Sequence, residues 1–330
     1  MEFQKNKKYD VFGIGNPLID FLVQIDEDEF LNFNLAKGTC TVMEEDEIEK
    51  LSSQLEKYEF TKSPGDATAN TITTLGKLGA NVVYAGKVGN DEYGLYYEQD
   101  LIASKVKPNL NKHAKKTGKA IALVTPDTER TFAVNLGAAY HLEKEDLFED
   151  DLKNSKILHL TGYQLDNETI RSTCLHAIKI AKENNVKVSI DLADINMINS
   201  NKEIMKEILK DADIIFANEQ EAIALTEKIG LDVINELSKK AELVCIKIGE
   251  NGSWIKYENT IIKIEPVKTR AVDTTGAGDN YAAGILYGIT HNMKIDDTAH
   301  LASVLAAKAV SKIGARLSEE ELKDLDLKQA

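Results

Sequence analysis

Short β-branched runs alternate with longer helical patterns along most of this chain, and that rhythm restricts the fold more than any other feature. Strands joined through helical crossovers run parallel in one sheet, with helices covering both faces. Val11–Ile14, Val82–Lys87, Ile157–Leu160, Val186–Asp191, Ile214–Ala217 and Leu243–Ile248 read as strands. Their apolar runs lack strict alternation, as suits strands buried on both sides. Helices read over Ala67–Leu78, stopped by Gly79, and from an Asp91 cap through Ser104. Further helices read over Glu168–Glu183, Asn218–Thr226, Ala277–Gly288 and Ile295–Ser311, after a hairpin at Ser253–Tyr257 and Thr260–Glu265. The expected fold class is α/β: a Rossmann-like body of three layers, α/β/α.

Two stretches break the rhythm. Phe21–Ile25 with Thr39–Val42, and Ala120–Thr125 with Thr131–Asn135, read as pairs of short strands joined by polar turns, without crossover helices. They predict a small β-sheet lid of residues 16–43 and 113–138 inserted into a body of residues 1–15, 44–112 and 139–330. A lid of this kind excludes water from a site when it closes.

With 40 basic and 54 acidic side chains in 330 residues, the net charge of -14 argues against nucleic acid as a partner. A phosphate-bearing small ligand stays compatible, since helix N-termini and magnesium supply local positive charge. Cys40, Cys174 and Cys245 are scattered and odd in number, without disulfide or zinc spacing, which predicts a reducing compartment. Asn16, Pro17 and Asp20 interrupt the first apolar run, and no other run reaches a membrane-spanning length. The expectation is a cytoplasmic protein with no membrane partner.

Asp273-Thr-Thr-Gly-Ala-Gly-Asp279-Asn280 carries the strongest chemical signal, because it leads directly into an apolar helix. Gly276, Ala277 and Gly278 place a flexible, small-residue backbone at a helix N-terminus, where N–H groups cradle an anion. Asp279 beside them could accept a proton from an attacking hydroxyl. Taken alone, the segment also fits an ordinary glycine turn with an acid in the first helical turn. Two other phosphate sites fail on spacing. Gly13-x-Gly15 has Leu18 where a dinucleotide fingerprint needs its third glycine. Lys77, Lys87 and Lys119 each follow a glycine, but none is followed by Ser or Thr as a P-loop requires.

The Asp273–Asn280 segment resembles the C-terminal signature of the ribokinase-like (PfkB-type) family of sugar and nucleoside kinases. Four further segments resemble that family in the same order: Gly13-Ile-Gly-Asn-Pro-Leu-Ile-Asp20, Pro64-Gly-Asp-Ala-Thr-Ala-Asn70, Val88-Gly-Asn-Asp-Glu-Tyr-Gly94 and Asn218-Glu-Gln-Glu221. The resemblance implies a ribokinase-like fold and ATP-dependent phosphorylation of an alcohol. It implies that Asp279 is the base and residues 276–278 the anion hole. Substrate contacts would come from Asn16, Leu18, Asp20, Gly65, Asp66, Asn70, Arg130 and Asn135, with Asp20 on vicinal hydroxyls and Arg130 on the transferring phosphate. Nucleotide contacts would come from Asn218, Lys247, Gly249, Gly252, Thr275 and Gly278. Asn218 and Glu221 would organise the water shell of Mg²⁺ bound with ATP, and Asp273 marks the region where family members hold a monovalent cation such as K⁺. Without the family, Asn218 and Glu221 read first as a simple helix cap, and Asp20 and Asn70 read equally as turn, cap or core residues.

Two departures stand out. The usual Gly-Gly hinge is Gly65-Asp66 here, and a strand end that is often Thr-x-Gly-x-x-Gly is Lys247-Ile-Gly249-Glu-Asn-Gly252. Lys247 could meet phosphate or simply point to solvent. Residues 15–20, Lys37-Gly38-Thr39, Glu129-Arg130-Thr131, Asn135–Ala138 and Ile313-Gly-Ala-Arg316 resemble the bacterial adenosine-kinase-like branch more than ribokinase or fructokinase. Adenosine is therefore the expected substrate, with a sugar such as ribose or fructose as the alternative and a catalytically inactive binding protein as the non-enzyme reading. The expected association state is monomer or homodimer.

Overall fold

The computed structural model describes residues 1–127, 129–258 and 260–325. Its strands are β1 Tyr9–Ile14, β2 Leu18–Gln24, β3 Cys40–Val42, β4 Phe60–Gly65, β5 Val82–Gly89, β6 Val106–His113, β7 Thr117–Val124 and β8 Arg130–Gly137. They continue with β9 Ser155–Thr161, β10 Lys187–Asp191, β11 Ile214–Asn218, β12 Leu243–Lys247, β13 Ser253–Tyr257 and β14 Thr260–Ile264. Nine form one sheet in the order β14-β13-β12-β11-β10-β9-β1-β5-β6. The pairs from β12 to β6 are parallel, while β13 pairs antiparallel with both β12 and β14, so β13 alone runs against the other strands.

One apolar core packs helices Glu168–Glu183 and Ile195–Ile208 on one face of this sheet. A second packs Ala67–Lys77 and Ala277–Thr290 on the other, which gives the three-layer α/β/α body read from the alternation. β1 is flanked by β5 on one side and β9 on the other, with the sheet growing through β5 and β6 first and then from β9 outward, so the strand order reverses beside β1. Ligand sites of open α/β sheets form outside the carboxyl ends of strands at such a reversal. No described helix is long and apolar enough to cross a membrane.

The other five strands form a smaller sheet in the order β3-β8-β7-β2-β4. The β7–β8 hairpin matches its sequence signal. The other expected pair does not form. β2 lies parallel to β7 and β3 parallel to β8, two strands apart, because residues 26–38 carry two short helical turns and a bend instead of a hairpin turn. β4, which the sequence places in the body, is an edge strand of this sheet and runs antiparallel to β2. Its Thr61, Lys62 and Ser63 are exposed and Pro64 removes a donor, so it lacks the apolar alternation that reveals a strand. An edge position tolerates both features.

Candidate active site

Helix Ala277–Thr290 begins at Gly276, whose φ of +76° is strained for any residue with a Cβ. A Cβ there would also lie 2.6 Å from the Cα of Ala315, so the loop after helix Ile295–Val310 presses on this turn. Ala277 N–H closes onto Thr274 O at 3.2 Å, and Asn280 N–H onto Gly276 O at 2.9 Å. Between them, Gly278 and Asp279 carry N–H groups that helix geometry leaves without an intrahelical carbonyl. The Nζ of Lys247 would lie only 2.9 Å from a Cβ at Gly278. The turn therefore combines backbone donors, a helix dipole and an ammonium.

Asp279 projects from the first turn of that helix. Asn70 Nδ2 donates to its Oδ2 at 2.8 Å, and Thr71 Oγ1 donates to its main-chain oxygen at 3.1 Å. Burial pushes the Asp279 carboxyl up to about 7; Asn70 and Lys247 oppose the rise, while the charges of Asp191 and Asp66 add to it. That places the carboxylate near the range in which a general base works best at neutral pH.

Around this pair, strand ends deliver further groups. Lys247, at the end of β12, neither faces solvent nor stands unpaired, since its Nζ lies 3.0 Å from Asp191 Oδ2 at the end of β10. Burial works against its charge, but Asp191, Glu221 and Asp279 more than offset this and raise its pKa. Asn218 ends β11 and caps helix Glu219–Thr226: its Oδ1 accepts from Glu221 N–H at 2.8 Å, while Glu221 accepts from Asn218 N–H at 2.7 Å. The capping role and a position in the site thus coexist. Burial, with repulsion from Asp191, pushes Glu221 up to about 7. Gly249 and Gly252, at φ of +58° and +86°, form the turn that follows Lys247.

Asp20 and Leu18, on β2, face Gly65 on β4, where a Cβ would lie 2.4 Å from Asp20 Oδ2. Asp20 keeps solvent contact, yet nearby protein atoms strip part of its hydration and push it up to about 7. Arg316 opposes that rise and Asp66 adds to it. Asp66 keeps a glycine-like φ of +107°. Such a conformation costs roughly 1–3 kcal/mol, and three hydrogen bonds hold it. The carboxylate accepts from Ala69 N–H at 2.9 Å, from Asn16 N–H at 3.1 Å and from Tyr84 OH at 2.9 Å. Asp66 is thus a cap and a brace of the cleft floor, committed to protein partners.

Arg130 and Asn135 are committed differently from the sequence expectation. Arg130 Nη1 donates to Thr275 Oγ1 at 3.2 Å and lies 3.4 Å from Asp273 Oδ1, so the smaller sheet reaches the anion-hole turn through it. Asn135 Nδ2 donates to the Met43 carbonyl at 2.6 Å, which ties β8 to the start of helix Glu45–Leu55. Three residues with no local motif also enter the site, Asp191, Tyr84 and Tyr163, together with Arg316 from the Ile313-Gly-Ala-Arg316 segment, which carried no site role at the level of sequence. Tyr163's hydroxyl is raised by burial and by Asp194 and Asp279. For Asp191 a signal existed, because it closes a buried parallel strand.

The pfkB family carbohydrate kinase model matches residues 37–322. The chain belongs to the pfkB family. Kinases of this family are ATP-dependent phosphotransferases that act on an alcohol group, and this pfkB kinase binds ATP and a small-molecule carbohydrate or nucleoside. An uncharacterized sugar kinase of Archaeoglobus fulgidus is 30% identical over 244 residues, covering 73% of this chain and 96% of the relative. A probable fructokinase-4 of Arabidopsis thaliana is 29% identical, over 74% of this chain and 79% of the relative. The crystal structure of adenosine kinase from Sinorhizobium meliloti superposes with a TM-score of 0.84 at 29% identity, covering 94% and 96% of the two chains. The ribokinase-like fold read from the motifs is therefore present.

The sequence resemblance implies a divalent and a monovalent cation. The described residues contain no group of three or more His, Cys, Asp or Glu side chains that could hold a metal directly. The buried carboxylates of Glu221 and Asp191 instead suit a hydrated Mg²⁺ that keeps most of its waters. Asp273 accepts from Thr275 N–H at 3.0 Å, Thr275 Oγ1 at 2.7 Å and Gly314 N–H at 3.0 Å, while the Arg316 and Leu317 carbonyls accept from Lys312 and Lys77. In this pfkB kinase these groups staple the turn before helix Ala277–Thr290 to the loop after residue 311.

Proposed function

We propose that this kinase transfers the γ-phosphate of ATP to the 5′-hydroxyl of adenosine, giving AMP and ADP, with residues 16–43, 60–65 and 113–138 acting as a lid. The full-length likeness to the Sinorhizobium meliloti adenosine kinase carries this reading. Asp20, with two acceptor oxygens, binds the vicinal ribose hydroxyls, and Asn70 adds a donor. Asp279 accepts the 5′-hydroxyl proton as that oxygen attacks the γ-phosphorus in line and ADP leaves. The Gly278 and Asp279 N–H groups, with Lys247, stabilise the charge on the transferring group. Mg²⁺, when bound with the nucleotide, neutralises phosphate charge, and Asn218 and Glu221 orient its water.

The sugar reading draws support from the fructokinase and sugar kinase relatives. A phosphorylation panel of adenosine, guanosine, inosine, ribose and fructose decides between them. Adenosine should show the highest kcat/KM, and faster turnover of fructose or ribose overturns the assignment.

Two further outcomes are expected. Glu221→Gln should shift the magnesium titration of activity to higher metal concentration while nucleoside binding stays near wild type; an unchanged titration curve removes Glu221 from that role. Because Asp279 works only when ionised and sits at about 7, kcat/KM should fall about tenfold per pH unit below that value and level off above it. A flat profile between pH 5 and 8 contradicts Asp279 as a titrating base.

A further inference from the structure

Arg316 lies on the loop after helix Ile295–Val310, 246 residues from Asn70 in sequence. Its Nε donates to Asn70 Oδ1 at 2.7 Å, and its Nη1 donates to Asp100 Oδ2 at 2.7 Å. Its Nη2 is buried with no hydrogen-bond partner among the described residues. Leaving a guanidinium nitrogen buried and unpaired costs stability, so the side chain is poorly explained as a structural ion pair alone.

An asparagine amide can present either end to a neighbour. With the Arg316 donor on Oδ1, the amide nitrogen must face the other way, and there it meets Asp279 Oδ2 at 2.8 Å. A flipped amide would set donor against donor at Arg316 and acceptor against acceptor at Asp279. The neighbouring residues hold the same loop in place: Asn280 Nδ2 donates to Ala315 O at 2.9 Å and Gly314 N–H to Asp273 Oδ2 at 3.0 Å.

We infer that Arg316 is a positioning residue for phosphoryl transfer, fixing the Asn70 amide so that its N–H holds Asp279 Oδ2 and leaves Oδ1 to take the substrate proton. This rests on Asp279 being the base. Asp100 anchors the guanidinium at the far end, so the chain Asp100–Arg316–Asn70–Asp279 links the helix Glu92–Ala103 to the reacting atoms. The other charged groups facing Asp279 are the side chains of Asp66, Asp191 and Lys247, and none of these side chains hydrogen-bonds Asn70 or Arg316; Asp66 meets Asn70 only through its main-chain oxygen, which accepts from Asn70 N–H at 2.9 Å.

The test is a double-mutant cycle of Arg316→Met and Asn70→Ala, with kcat, KM for ATP, a thermal melt and the pH profile measured for each protein. Arg316→Met should lower kcat roughly 10–100-fold, the range for losing a hydrogen bond to a charged group, with KM for ATP near wild type. It should also move the acidic limb of the profile to higher pH, since Asn70 no longer stabilises the ionised base. On the Asn70→Ala background the same change should cost less than threefold and move the limb no further. Additive losses, or a limb that Arg316→Met leaves in place, overturn the inference. If Arg316→Met melts before assay, Arg316→Lys replaces it: a single ammonium beside Asp100 lacks the fixed fork that also reaches Asn70, so the same kcat loss and limb shift are expected. Asp279→Asn separates the two ideas. An inert Asp279→Asn enzyme with an additive cycle removes Arg316 alone, and a near-normal one removes the base and the inference together.

Discussion

Asp279→Asn should lose about 10²–10⁴-fold or more in kcat while the protein still folds and binds ATP and nucleoside. The amide preserves the first turn of helix Ala277–Thr290 and can still meet Asn70, but it cannot take a proton as a carboxylate does. Stability should move the other way. The carboxyl titrates at about 7 in the folded protein, well above the roughly 3.9 of an unfolded chain. Ionised Asp279 therefore opposes folding: the penalty is absent below about pH 4, grows as pH rises, and is complete above about pH 7. Thermal melts should show the Asn variant more stable than wild type at pH 8, with the gap closing toward pH 4. Near-normal turnover would reject the base. An inert enzyme that is also less stable at pH 8 would show that folding, and not proton transfer, was lost.

Gly276→Ala should be nearly as damaging, for a steric reason. At φ of +76° the new methyl group would stand 2.5 Å from Ala315 Cβ and 2.6 Å from its Cα, so either the turn or the loop has to move. Displacing one backbone donor from a developing negative charge costs about 10²–10³-fold in kcat, and that is the expected loss. Gly79→Ala is the control. Its φ of +97° imposes comparable backbone strain, but nothing lies within 4 Å of the added carbon. That variant should be less stable yet keep wild-type kcat. Equal kcat losses in both would trace the effect to global strain and away from the contact with Ala315.

Legibility in the sequence followed distance along the chain. The glycine turn at the start of helix Ala277–Thr290 and its Asp279 are contiguous, as is the Asn218–Glu221 cap, so local spacing marked both turns. The parallel body was legible because each buried strand reports its own environment. Tyr84 reaches the site only through tertiary packing, and no local pattern marks it, whereas Asp191 closes a buried strand and Arg316 ends a segment singled out in the sequence, though neither pattern named a role. Strand β4 was hidden because an edge strand next to the cleft buries few side chains. The Asp66 substitution was visible as a departure, but its meaning depended on Asn16 and Tyr84, which supply two of its three donors. Lys247 similarly needed Asp191, a strand away and 56 residues earlier, to define what it does.

The dependence of the site on Gly314, Ala315 and Arg316 also sets the order in which it can mature during synthesis. Asp279, the proposed base, and its glycine turn emerge from the ribosome more than thirty residues before the loop that steadies them. Until that loop arrives, Asn280 lacks its Ala315 acceptor, Asp273 its Gly314 donor and Asn70 its guanidinium. A nascent or truncated chain ending before residue 314 would thus carry every residue of the glycine signature and still be a poor enzyme. Phosphoryl transfer would switch on only once this loop has been made and has docked.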